Sequence, residues 1–164
     1  MKSSAKLVAF TAVTTALTVV LSGLSVPFAL GVRIHFFQVG IMLAGAIGGP
    51  LPGLVTGGIG AVYMATIRGD PTIVIGNGLL GLFTGIFVRK TRPALAGVSA
   101  WGLVQAPWIY LTGTYIFLVP TAVMQLALAV LTAEGMICAS VVDILINHFH
   151  LRGVAFPESR IAGP

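Results

Sequence analysis

The sequence predicts an all-α integral membrane protein folded as a six-helix transmembrane bundle, and three observations predict it. Of the 164 residues, 57% are apolar and only 8% charged, against about 25% charged in an ordinary soluble domain. The mean hydropathy of +1.03 leaves too little polar surface to cover a globule in water. The apolar residues also fall in runs separated by short polar or Gly/Pro-rich breaks. At about 20 residues per spanning helix, six helices use roughly 120 residues and leave about 44 for five loops and two tails. One domain therefore fills residues 1–164, with no room for a second.

Each element has a local cause. Helices are expected over residues 5–22, 34–48, 53–67, 72–89, 94–112 and 119–147, followed by a short tail over 148–164. Ser22-Gly23 with Pro27 closes the first helix, and the run Gly48-Gly49-Pro50-Leu51-Pro52-Gly53 forces a tight turn between the second and third. Asp70-Pro71-Thr72 opens the fourth, with Asp at the N-cap and Pro at the first helical position. Pro93 restarts the chain at the fifth, and Gly113 and Pro120 bracket the turn before the sixth. The second and third helices, at 15 residues each, would reach only about 22 Å against a hydrocarbon core of about 30 Å. They form either a hairpin that stops short of crossing or two full spans.

A net charge of +5 in a soluble chain would suggest a nucleic-acid partner. Here the cations lie between apolar runs, where they report orientation, and no nucleic acid is expected. With six crossings, Lys2, Lys6, Arg89, Lys90, Arg92, Arg152 and Arg160 fall on the side of the termini, and Arg33 and Arg68 fall opposite. Seven against two places both termini in the cytoplasm. The rival for residues 1–25 is a cleaved signal peptide, since two lysines precede the apolar run and small residues follow it. Cys138 is the only cysteine, which excludes an intrachain disulfide and a Cys-based zinc site.

Polar residues without an evident structural duty gather in the half away from the termini. On the fifth helix Trp101, Gln105, Trp108 and Thr112 recur at steps of 4, 3 and 4 and share a face. Flat rings beside an amide suit a flat heterocyclic solute, while Trp108 with Tyr110 and Tyr115 equally suits an interfacial aromatic belt. Arg33, His35 and Gln38 open the second helix around Phe36 and Phe37. Arg33 offers a planar fork for a carboxylate or phosphate, or snorkels into headgroup water. Asp70 reads as a helix cap with Arg68 as its partner, and Asn77 either ties helices together or contacts solute. Glu134 lies 14 residues after Pro120, roughly 21 Å down the sixth helix. A carboxylate facing lipid at that depth is costly, so Glu134 should face the interior, as the floor of a solute pocket or the partner of a buried cation. Gln125, nine residues earlier, falls on the opposite face. These considerations make Arg33, His35, Gln38, Asn77, Trp101, Gln105, Trp108 and Glu134 the candidate substrate-binding residues. Asp143, Asn147, His148 and His150 cluster at the far end, as a solvated helix end or a metal or general-base site. The two histidines are two residues apart and point differently, so no metal site, cofactor or catalytic residue is expected.

Small residues form stripes. Ala5, Ala9, Ala12 and Ala16 share one face of the first helix, which either packs within the bundle or docks another membrane subunit. Gly53, Gly57, Ala61, Ala65 and Gly69 form a second stripe, and Gly81 and Gly85 a shorter one, both expected to pack internally.

The pair Ala12 and Ala16, followed by the 33–61 stretch RIHFFQVGIMLAGAIGGPLPGLVTGGIGA, resembles the substrate-binding S component of energy-coupling factor (ECF) vitamin transporters. The likeness lies in the six helices, the Gly/Pro turn after the second and the cytoplasmic termini; it covers helices one to four, and the last two only in layout. The resemblance implies a multi-pass subunit of a prokaryotic plasma membrane. It would capture a small vitamin-like solute and pass it through an ATP-driven complex of a membrane-embedded coupling subunit and ATPase subunits. It also implies that Ala12 and Ala16, with Ala9 beside them, dock the coupling subunit. Nucleotide hydrolysis must come from another chain, since the nearest approach to a P-loop, Gly85-Ile-Phe-Val-Arg89-Lys90-Thr91, has Arg where the second Gly is required. Two other classes stay open: a self-contained transporter or channel acting as an oligomer, and a membrane enzyme with its site at the Asp143/His148/His150 end. Arg33 points to an anionic group on the solute and the tryptophans to an aromatic one, without naming it.

Overall fold

The structure, a computed structural model, describes residues 2–30 and 32–151. The tail beyond residue 151, with Arg152 and Arg160, lies outside the described residues. Among the described residues six helices build the bundle: α1 (Lys2–Gly23), α2 (Gln38–Gly48), α3 (Pro50–Arg68), α4 (Thr72–Phe87), α5 (Pro93–Tyr115) and α6 (Thr121–His148). Between α1 and α2 the chain makes an antiparallel hairpin of β1 (Ser25–Pro27) and β2 (Arg33–His35), with Val26 opposite Ile34.

The hairpin corrects the expected start of the second helix at residue 34. Residues 33–35 pair with β1 instead, and α2 begins at Gln38. Across the tip, Phe28 N–H donates to Val32 O at 2.9 Å and Val32 N–H to Ala29 O at 2.9 Å. These bonds satisfy a backbone that would otherwise be bare at the bundle end.

The distribution of short helices also differs from expectation. The helix expected over 53–67 runs for 19 residues from Pro50 to Arg68, about 28 Å. The short pair is α2, about 16 Å long over Gln38–Gly48, and α4, about 24 Å long over 16 residues. Among the described residues four helices, α1, α3, α5 and α6, are long and apolar enough to cross a membrane.

Helix α1 is polar inside and apolar outside. Thr14, Thr18 and Ser22 are buried, while Ala5, Ala9, Ala12 and Ala16 are all exposed. In lipid there is no hydrophobic push between helices, so close packing and hydrogen bonds hold the interface. Thr56 on α3 supplies both, its hydroxyl lying 3.3 Å from that of Thr14 and 3.1 Å from that of Thr15. Thr18 then wedges between two helices: a Cβ at Gly40 would lie 2.2 Å from its hydroxyl, and one at Gly60 2.4 Å from its methyl.

The second contact is backbone against backbone. A Cβ on Gly53 would lie 2.2 Å from Gly81 O, one on Gly81 2.0 Å from Gly53 O, and one on Gly57 2.0 Å from Asn77 O. No side chain of any size fits, so α3 and α4 approach as closely as helices can. The turn from α2 to α3 rests on Gly49, at φ 92° and ψ −171°, where Pro50 forbids helical continuation and a side chain would be strained.

Two π turns interrupt the helices, Ala44–Gly48 at the end of α2 and Trp101–Gln105 within α5. The second precedes Pro107, which has no N–H and would clash with the preceding turn of a regular helix. There the chain takes an extra residue, and Ala106 N–H donates to Trp101 O.

Candidate solute cavity

A cavity of about 310 Å³ opens at the hairpin end of the bundle, a size suited to a small organic solute. All elements except α1 and β1 reach it. The hairpin tip brings Leu30 and Val32, β2 brings Arg33 and His35, and α2 begins at its edge with Gln38. Apolar side chains from α6, among them Met124 and Leu131, form one wall. Arg68 and Asp70 stand at the α3–α4 turn, Asn77 on α4, and Gln105 and Trp108 on α5.

The polar groups of the cavity are oriented from behind. Asn77 Nδ2 donates to the Ile73 carbonyl at 2.9 Å, and Gln105 Nε2 donates to Asn77 Oδ1 at 3.0 Å. Because the Ile73 carbonyl can only accept, it sets the direction of the whole chain: turning either amide over would place two acceptors or two donors face to face. Gln105 Oε1 is therefore left over, a buried acceptor with no partner among the described residues. Gln38 Oε1 is likewise buried and without a partner among the described residues. Buried carbonyl oxygens without donors are costly.

Trp108 turns the pyrrole edge of its indole toward the start of α4. Its indole N–H donates to the Thr72 carbonyl at 3.0 Å, and its ring fills the space a Cβ at Gly76 would take, 2.7 Å from Cδ1. The ring thus lines the cavity in a fixed orientation. Arg33 is held at the rim, where Nε donates to Ser25 Oγ at 3.0 Å and an Nη to the Ser25 carbonyl at 3.2 Å. Asp70 does not pair with Arg68 among the described residues. Its Oδ1 accepts from the Thr72 backbone N–H at 2.8 Å and the Thr72 hydroxyl at 2.5 Å, capping α4.

Two residues expected in the pocket do not line it. Trp101 is buried, with its indole in the hole left by Gly135 on α6 and its N–H donating to Leu131 O at 2.6 Å. A tryptophan four residues from Gln105 looked like the same wall. It lies one turn deeper and turns to α6, because Gly135 makes room there. Glu134 is 3% exposed and stands behind His35. His35 Nδ1 is 2.9 Å from Glu134 Oε1, and the His35 backbone N–H donates to Oε2 at 3.2 Å. The side chain that meets Glu134 is the histidine at the end of β2, with its ring tilted against Phe37 at 4.5 Å between centroids.

Arg68, Thr112 and the apolar wall from α6 were not among the substrate-binding candidates. Thr112 was legible from its spacing to Trp108. The α6 wall had no such signal, because aliphatic residues look alike in a membrane helix. Gln125 is exposed, as its position opposite Glu134 requires. At the other end of the bundle Asn147 Nδ2 donates to Asp143 Oδ2 at 3.1 Å, and the exposed His150 Nδ1 lies 2.9 Å from Asn147 O.

The profile of the family described as ECF-type riboflavin transporter, S component, matches residues 2–157. No curated protein and no solved structure matches the chain.

Proposed function

The chain belongs to the ECF-type riboflavin transporter S component family, whose members are non-catalytic substrate-binding subunits of vitamin transporters, and from this premise we propose that it captures a flavin-type solute in the cavity at the hairpin end. The observation that carries the reading is a cavity of about 310 Å³ that combines the flat face of Trp108 with unpartnered amide oxygens on Gln38 and Gln105. An apolar slot with a few fixed polar groups is the usual build of a small-molecule site. Riboflavin is the solute in the family's description, and its flat heterocycle suits this lining.

In this reading Arg33, His35, Gln38, Asn77, Gln105 and Trp108 surround the solute, the hairpin end faces outward and both termini face the cytoplasm. The chain works with a membrane-embedded coupling subunit and separate ATPase subunits, which drive release. Binding energy alone gives no direction, so a second state with lower affinity must be imposed by those partners. The exposed Ala9, Ala12 and Ala16 face supports α1 as the docking surface, since small side chains let a partner helix approach closely.

The test has two arms. Purified chain in mild detergent should quench flavin fluorescence at a one-to-one ratio. In liposomes the chain alone should bind without accumulating solute, and accumulation should appear only when the coupling and ATPase subunits are present with ATP. A chain that binds no flavin, or that transports it uphill unaided, refutes the proposal.

A further inference from the structure

Arg33 and Arg68 come from different elements, β2 and the end of α3, and both line the cavity. Lys6 near the start of α1, and Arg89, Lys90 and Arg92 at the turn from α4 to α5, lie at the opposite end of the bundle. Cations concentrate on the cytoplasmic side of membrane proteins, which the orientation above assigns to that opposite end. The two described cations that break this pattern therefore both stand at the cavity. The ion pair at this end among the described residues joins His35 to Glu134 and includes neither arginine. Asp70 also lines the cavity, but its Oδ1 is engaged by the Thr72 backbone N–H and hydroxyl at the start of α4. Of the charges acting on Arg68, the repulsion from Arg33 is the largest, ahead of the attraction of Asp70 and of Glu134. Two guanidiniums that repel one another at the mouth of a cavity favour an anion between them.

The hairpin presets Arg33 for such a ligand. Ser25 on β1 takes one side of its guanidinium, Nε through the hydroxyl and Nη2 through the carbonyl. The end of the fork, Nη1 with the second N–H of Nη2, makes no hydrogen bond among the described residues, and that edge has the spacing to grip two oxygens of a phosphate. Arg68 makes no hydrogen bond or ion pair among the described residues. Lipid headgroups and a phosphorylated solute offer the same chemistry, but both arginines line the cavity, which favours the solute. Resting on the flavin reading above, we propose that Arg33 and Arg68 form an anion site at the cavity mouth, and that the preferred solute is a flavin whose side chain ends in a phosphate monoester. The flat ring occupies the slot beside Trp108 and the amides, and the chain leaves through the mouth between the two guanidiniums. Riboflavin is neutral and leaves both without a partner, whereas a phosphate monoester carries a charge of about −1.5 to −2 near pH 7.

The experiment compares riboflavin with riboflavin 5′-phosphate by fluorescence titration of the purified full chain in a neutral detergent. The wild type should bind the phosphate at least about tenfold more tightly. Arg68→Gln, at an exposed position, should bring the ratio of the two affinities to within about twofold, while Arg68→Lys, which keeps the charge and loses the fork, should hold it at about threefold or more. A role confined to stability would lower both affinities together and leave the ratio unchanged. Should Arg68→Gln fail to fold, Arg33→Gln removes the other guanidinium and should lower the same ratio. Equal or weaker binding of the phosphate by the wild type, or an unchanged ratio in the folded variants, overturns the inference and leaves flavin binding intact. Native mass spectrometry with added phosphatidylglycerol separates the two sources. Phosphatidylglycerol held by the wild type, lost in Arg68→Gln and not displaced by riboflavin 5′-phosphate assigns the arginines to a headgroup and likewise overturns it. Absence of any flavin binding to the wild type overturns both this inference and the reading it rests on.

Discussion

Gly57 and Gly58 are neighbours on α3, yet alanine at the two positions should move stability in opposite directions. A Cβ at Gly58 meets nothing within 4 Å, so Gly58→Ala carries only the gain in helix propensity, up to about 1 kcal/mol. A Cβ at Gly57 would stand 2.0 Å from Asn77 O, 2.6 Å from its carbonyl carbon and 3.0 Å from Gly78 Cα. All three are backbone atoms and cannot rotate away. Ordinary contact begins near 3.4 Å, so the axes of α3 and α4 must part by more than about 1 Å, which also opens the Gly53–Gly81 contact one turn away. Overpacking costs about 1–3 kcal/mol where side chains can adjust, and a rigid backbone belongs at the top of that range. After the propensity gain, Gly57→Ala should lose about 2 kcal/mol. Reversible unfolding in mixed micelles, wild type against each variant, reads this directly. Flavin affinity should fall as well in Gly57→Ala, because the displaced Asn77 orients Gln105. Gly57→Ala as stable as wild type, or both variants shifted the same way, would refute backbone contact as the basis of this interface.

The remaining predictions separate structural from solute-facing residues. Trp101→Phe should cost about 1–2 kcal/mol of stability through the lost bond to Leu131 O and the space left over Gly135, while riboflavin affinity stays within twofold in the same titration. Gly76→Ala should do the reverse: its Cβ, 2.7 Å from Trp108 Cδ1, pushes the indole toward the cavity, so affinity should drop about tenfold with the unfolding midpoint nearly unchanged. A combined Ala12→Leu and Ala16→Leu variant should bind flavin normally in detergent but lose uptake when reconstituted with coupling and ATPase subunits, since added bulk on the exposed face of α1 blocks helix approach. Normal uptake by that variant would move the docking surface elsewhere.

The class of fold was determined by composition and periodicity, because a chain with 8% charged residues has no alternative to lipid, and lipid admits only helices or closed barrels as spanning elements. Helix breaks were legible wherever Gly and Pro act locally, as at 48–53 and 70–71. So were residues whose polarity demands an interior place, Glu134 and Asn77 among them. Tertiary structure decided what local rules cannot reach. Residues 33–35 became a strand because β1 offered pairing partners from six to ten positions earlier. Trp101 left the cavity because Gly135, distant in sequence, opened a hole for its ring. The partner of Glu134 lies 99 residues away, and no spacing along one helix could reveal it. The outward face of α1 was likewise undecided until Thr56, Gly40 and Gly60 were seen to receive its threonines, leaving the alanines outside. Periodicity defines the faces of a helix, but which face turns inward depends on the shape and hydrogen-bonding capacity of its neighbours, and those belong to the assembled bundle.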